Sequence, residues 1–114
     1  MYRYLGFGQV TTPHNDTRQV LEQLRERVRL LHCSAQTEAS HLRWARAFLR
    51  WQRAQQHAQG QAWPLHECGP MEVNAFLAVL AQRPRLSPAS HRQALQALLF
   101  MFRQLWGRDL LDAD

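Results

Sequence analysis

Arg43, Arg46, Arg50 and Arg53 recur at intervals of three and four residues. On a helix that advances roughly 100° per residue they fall in one stripe about 80° wide, with His57 in its middle. No acidic residue follows Glu38 in this stretch. Like charges at such spacing repel by ~0.2–0.5 kcal/mol per pair, so a helix that needed only solubility would mix signs. The stripe therefore reads as a surface kept for an anionic partner lying along the helix, phosphates above all. The plainer alternative is a solvated face whose acidic partners come from other helices.

A second constellation is a matched pair of helix starts, Ser34-Ala-Gln-Thr37 and Ser87-Pro-Ala-Ser90. Each places a capping serine three residues before another hydroxyl. The free N–H groups and the positive dipole end of a helix start favour anions, although capping alone also explains these residues. His91, Arg92 and Gln93 follow, then Gln96, with donors and acceptors suited to phosphates or to the edges of bases. Trp44 and Trp51 share a face with Phe48, so they are expected in the core rather than stacked on a single strand.

Catalytic patterns are absent from the sequence. There is no glycine-rich phosphate loop, no paired metal-ligand motif and no supported Ser/His/Asp set. The acidic residues are too scattered for a two-metal site. Tyr2 and Tyr4 lie in a glycine-containing arm, poor ground for a positioned nucleophile. Cys33 and Cys68 are the only cysteines, and His32 and His66 near them lack zinc-ligand spacing. Both cysteines are expected to be reduced. Neither a metal nor a cofactor is expected.

The positioning elements follow from hydrophobic periodicity. Residues 1–15 read as a loose arm. Asn15 or Asp16 caps a first helix to about Leu31, with Leu21, Leu24, Val28 and Leu31 on its apolar face. Its charged face carries Arg18, Glu22, Arg25 and Arg29, and Glu22 is placed to pair with Arg18 and Arg25, within the same helix. A second helix runs from Ser34 to about His57 and buries Leu42, Trp44, Ala45, Phe48, Leu49 and Trp51. Gly60, Pro64 and Gly69 mark a connection in which Trp63 and Leu65 fold back on the core. A third helix begins near Pro70, a favourable first position, buries Val73, Phe76, Leu77 and Leu80, and stops at Pro84. A fourth runs from Ser87 and Pro88 to about Trp106, with Leu95, Leu98, Leu99, Phe102 and Leu105 apolar, Ala94 and Ala97 allowing close approach, and Gly107 as the stop. No alternating strand pattern or internal repeat interrupts them. The fold class is all-α, a compact four-helix bundle.

Composition agrees. One domain accommodates 114 residues, and 46% apolar with only 20% charged residues is enough to build a core rather than a disordered chain. No apolar run reaches the roughly 18 residues of a membrane span, and residues 1–15 lack the apolar stretch of a signal peptide, which places the protein in the cytoplasm. The net charge is +5 and the fourteen basic residues are all arginine. Arginine's planar fork matches phosphate oxygens, which makes nucleic acid the first candidate partner.

Three segments resemble the N-terminal core-binding domain of tyrosine recombinases, with the closest likeness to integron integrases. They are Leu21-Glu-Gln-Leu-Arg-Glu-Arg-Val-Arg-Leu-Leu-His32 followed by Ser34-Ala-Gln-Thr37-Glu38, then Glu72-Val-Asn-Ala-Phe-Leu-Ala-Val-Leu-Ala81, then Ser87-Pro-Ala-Ser90 leading into Gln93-Ala-Leu-Gln-Ala-Leu-Leu-Phe100. The resemblance implies a SAM-like integrase N-terminal domain over residues 16–107 that forms half of a clamp around double-stranded DNA. It implies that residues 108–114 lead toward a separate catalytic domain bearing the tyrosine nucleophile. The matching DNA-binding positions are Ser34, Thr37, Arg43, Arg46, Arg50, Arg53, His57, Ser87, Ser90, His91, Arg92 and Gln93. Two departures stand out: the family often has an aromatic residue where Cys33 stands, and the arm has no family counterpart.

The reading is a non-catalytic DNA-binding module of a site-specific recombinase. Its implied partners are duplex DNA and other recombinase protomers in a synaptic complex, with no membrane and no small-molecule substrate. A helical protein-interaction module and a small helix-turn-helix regulator are the alternatives. The regulator predicts a stable dimer and a palindromic site. The interaction module predicts little affinity for DNA.

Overall fold

The four amphipathic segments form α1 (Thr17–Leu30), α2 (Ala35–Gln59), α3 (Pro70–Ala81) and α4 (Pro88–Trp106) in a computed structural model that describes residues 17–59 and 68–110. The expected arm and its capping residues, and Trp63 and Leu65, lie outside the described residues. Among those described there is no strand. The molecule is an all-α four-helix bundle, as its periodicity predicts.

α2 and α4 make the most extensive pairing, and α4 also packs on α1 and α3. Ala94 and Ala97 are fully buried on α4, which lets its backbone approach its neighbours closely. Phe48 is the centre of the core. Its ring meets Phe76 of α3 edge-on at 5.5 Å and Phe102 of α4 at 6.0 Å. Such aromatic pairs add ~0.5–1.5 kcal/mol beyond the area they bury. Met101, absent from the expected face of α4, is fully buried, whereas Leu95, Leu99 and Leu105 are half-buried at the rim of the core.

The helix ends obey local rules. His32 takes the left-handed conformation (φ 59°), its N–H reaches Arg29 O at 3.1 Å, and the N–H of Cys33 reaches Val28 O at 3.2 Å. This Schellman arrangement closes α1. Leu31, expected on the apolar face, is instead 52% exposed. The reason lies in the neighbouring helix: the first buried residue of α2 is Leu42, about two turns in, so the tip of the α1–α2 hairpin overhangs the core. α3 ends at Ala81, three residues short of Pro84, because the position before a proline disfavours helix. Gly107 closes α4 with φ 62°, as its place in the sequence predicts.

The packed body continues past Gly107. Arg108 donates from Nη1 to the carbonyl of Cys68, and Leu110 is buried in the core cluster. The turn it clasps is tight: Gly69 N–H donates to Glu72 Oε1 at 2.7 Å, and a Cβ on Gly69 would lie 2.7 Å from Arg108 Nη2. Arg108 and Leu110 thus make contact with the bundle. Cys68 is buried and Cys33 half-buried, and neither is in a disulfide.

Candidate nucleic-acid interface

α2 presents Arg43, Arg46, Arg50, Arg53 and His57 to solvent on one side. Among the described residues, no carboxylate lies within ion-pair distance of any of these four arginines. The other helices differ. Arg25 pairs with Glu22 at 3.3 Å, and Arg103 with Asp109 at 3.0 Å. Arg29 donates from Nε and Nη2 to the two oxygens of Glu38, each at 3.1 Å. The Arg25–Glu22 pair lies within α1, as expected, and this last contact adds a partner from α2. Glu38 of α2 leans back on α1, reaching Arg25 at 3.9 Å as well. The hydrogen bond from Arg29 holds the Glu38 carboxyl below its ordinary pKa. The acid nearest the stripe in sequence is therefore committed elsewhere. Arg43 lies over the Trp44 ring, 4.9 Å from its centroid, a cation–π contact that restrains the guanidinium. Trp44 itself is buried, as expected, and Trp51 half-buried.

The two helix starts are built alike. Thr37 N–H donates to Ser34 Oγ at 3.1 Å, and the Ser34 hydroxyl donates to Thr37 Oγ1 at 3.0 Å. Ser90 N–H donates to Ser87 Oγ at 3.1 Å, and the Ser87 hydroxyl donates to Ser90 Oγ at 3.1 Å. These hydroxyls first serve the caps. The starts also meet in space. An open cleft of about 470 Å³ between α2 and α4 is lined by Gln36, Thr37, Ser40 and His41 from one side and by Arg92, Gln93 and Gln96 from the other. One cation and three carboxamides give it a mixed donor and acceptor character, unlike the purely cationic stripe.

Of the residues singled out in the sequence, Thr37, Arg92, Gln93 and Gln96 thus come together. His91 points elsewhere: it is half-buried, and its Nε2 lies 3.2 Å from Leu77 O. A carbonyl only accepts, so Nε2 carries the proton and ties α4 to α3. Gln36, Ser40 and His41 were not anticipated. Their signal was present, since Gln36 and Ser40, like Thr37 and His41, are four residues apart and share a helix face.

His41 also packs on Phe100, with ring centroids 4.6 Å apart, and its buried Nδ1 has no hydrogen-bond partner. Burial lowers its pKa below the ordinary 6.5. Below pH 6.5 the unfolded chain takes up a proton that the folded ring refuses, so stability should fall as pH drops through that value. The Glu38 contribution is present above the ordinary carboxylate value of 4.5 and is lost only at lower pH, so the two windows separate. Urea denaturation between pH 7.5 and 5.5 is expected to show the decline in the natural chain and a shallower one in His41→Phe. Parallel profiles would discard the assignment.

Residues 20–112 match the family model of the phage integrase N-terminal SAM-like domain. The chain belongs to this family. Two relatives described as integrase/recombinase, from Escherichia coli and Pseudomonas aeruginosa, are each 43% identical to it over 91 residues, covering 80% of this chain and 25% of theirs. The SAM-like domain thus spans about a quarter of the length of these relatives. No solved structure matches it. Among the described residues, no helix is long and apolar enough to cross a membrane, and no group of three or more His, Cys, Asp or Glu is placed to hold a metal ion.

Proposed function

We propose that this SAM-like domain grips duplex DNA as the non-catalytic half of a clamp in a tyrosine recombinase of the integron-integrase kind. The observation that carries the reading is the carboxylate-free arginine stripe on α2. Arg43, Arg46, Arg50 and Arg53 hold phosphates, with His57 at the end of the row. The Ser34/Thr37 and Ser87/Ser90 starts direct their dipoles toward the backbone. Arg92 and Gln93 meet base edges, where arginine suits guanine and glutamine suits adenine. His91 positions α4 against α3. The setting is cytoplasmic. Residues 108–114 lead toward a catalytic domain, and other recombinase protomers join the domain on DNA in a synaptic complex.

Phosphate contacts release counterions, and each contributes ~0.9 to the slope of log K against log salt. The stripe alone then accounts for a slope near −3.6, from about four contacts. Fluorescence anisotropy with a random-sequence duplex at several salt concentrations measures it. Salt-independent or undetectable binding would replace this reading with the protein-interaction module.

A further inference from the structure

We propose that the outer face of α3 is a contact surface for a second copy of this chain, in which two α3 helices pack antiparallel across a two-fold axis and Glu72 of each copy pairs with Arg83 of the other. The inference goes beyond the DNA-binding reading and does not depend on it, since that reading gives the outer side of α3 no role.

α3 is apolar on both sides. Val73, Phe76, Leu77 and Leu80 are buried in the core. The opposite side exposes Met71, Asn74, Ala75, Ala78 and Val79, with Met71 81% and Val79 43% accessible. A helix that is hydrophobic all round is normally covered all round. Of the four helices, α3 alone exposes no charged residue: α1 exposes Glu22, Glu26 and Arg27, α2 its arginine stripe, and α4 Arg92 and Arg103. An uncharged apolar face suits a protein partner and not a phosphate backbone.

The charge pattern selects a second copy. The chain carries a net +5, so two copies repel over most of their surface, and a face without charge is where they meet at least cost. Along the helix Met71, Ala75 and Ala78 fall in a stripe about 60° wide, with Val79 and Glu72 on one flank. Arg83 comes eleven residues after Glu72, three turns or about 16 Å further along and on the same flank. Its N–H bonds to Leu80 O at 3.0 Å, so the turn carries on through it. A two-fold axis lying across the face brings like flanks together in opposite directions. Ala75 then sits opposite Ala78 at the crossing, where short side chains let the axes approach, and Glu72 meets Arg83 on both sides of the axis. A parallel pairing makes neither contact. Both charges are open to such a partner: Glu72 gives only Oε1 to the Gly69 N–H, and neither it nor Arg83 is in an ion pair among the described residues.

α3 has twelve residues, and its outer face falls short of the ~800 Å² per partner of a stable interface. Association is therefore weak, with a Kd of about 0.1–1 mM. Protomers gathered on one DNA, as in the assembly proposed above, reach effective concentrations of about that size.

The test is sedimentation equilibrium of the full chain without DNA up to about 1 mM, a concentration that populates a dimer of this strength. Ala78→Glu sets two carboxylates close to the axis and should weaken the dimer at least about ten-fold. Arg83→Glu, on an exposed residue past the end of α3, turns both pairs repulsive and should weaken it about ten-fold. Glu72→Gln keeps an acceptor for Gly69 N–H. It should weaken the natural dimer about three-fold, yet strengthen that of Arg83→Glu by relieving the repulsion. Gln23→Glu, the same charge change on the exposed side of α1, should leave the Kd within about two-fold. Circular dichroism establishes that each variant is folded. A chain that stays monomeric leaves the face to some other partner and overturns the proposal. So does a dimer indifferent to folded Ala78→Glu or Arg83→Glu, or one that Glu72→Gln shifts the same way in both backgrounds. Failure of the DNA-binding reading leaves these measurements untouched.

Discussion

Truncating Phe48 to alanine should lower the free energy of unfolding by about 3–5 kcal/mol, measured by urea denaturation followed by circular dichroism. The side chain is fully buried and meets rings from α3 and α4 as well as Trp51 on its own helix. Its removal forfeits transfer free energy, dispersion contacts and aromatic pairing together. The surrounding helices cannot collapse onto the gap without shifting the fully buried Ala45, Leu98 and Met101. Domains of this size have about 5–15 kcal/mol in total, so the variant should be marginal at room temperature and should melt far below the natural chain. A cost under about 1 kcal/mol would mean that the three helices do not converge on this ring.

Arg46→Gln/Arg50→Gln should make the salt slope of DNA binding shallower by about two units. Both side chains are exposed and lack a described carboxylate partner, so their loss should leave the fold intact. Because phosphates repeat regardless of sequence, the effect should be equal on unrelated duplexes. Gln93→Ala is the contrasting case. It removes one carboxamide from the α2–α4 cleft, leaves the slope alone, and changes the ranking of sequences if the group reaches a base edge. An unchanged slope in the folded double variant would exclude the stripe as the phosphate grip.

Much of the fold was legible because its signals are local. Helix starts rest on Ser34 and Ser87, stops rest on Gly107 and on proline, and the core stripes follow from three- and four-residue spacing. What stayed hidden depends on which helix faces which. Leu31 continues the α1 stripe, yet it lies beyond the reach of α2's first buried residue. Met101 became core because the buried face of α4 runs through Ala94, Ala97, Leu98 and Met101, which leaves Leu95, Leu99 and Leu105 at its rim. Glu38 has no arginine three or four residues away on its own helix, and only tertiary packing directs it to Arg29. His91 looked like an outward donor in a helix start, while the carbonyl that occupies it lies fourteen residues away on α3. For the interface, the stripe could be read from residue types. The cleft that joins the two helix starts required the packing of helices distant in sequence.

The clasp of Arg108 on the turn before α3 ties the end of the packed body to its middle. A methyl group at position 69 would lie 2.7 Å from Arg108 Nη2, the far tip of a flexible side chain, so Gly69→Ala displaces the guanidinium rather than the backbone. Such a change would loosen the hold on Cys68 O and with it the tie between the end of α4 and the start of α3, while leaving the helices themselves in place. A tolerant position of this kind lets the tail of the folded unit be retuned without rebuilding its core.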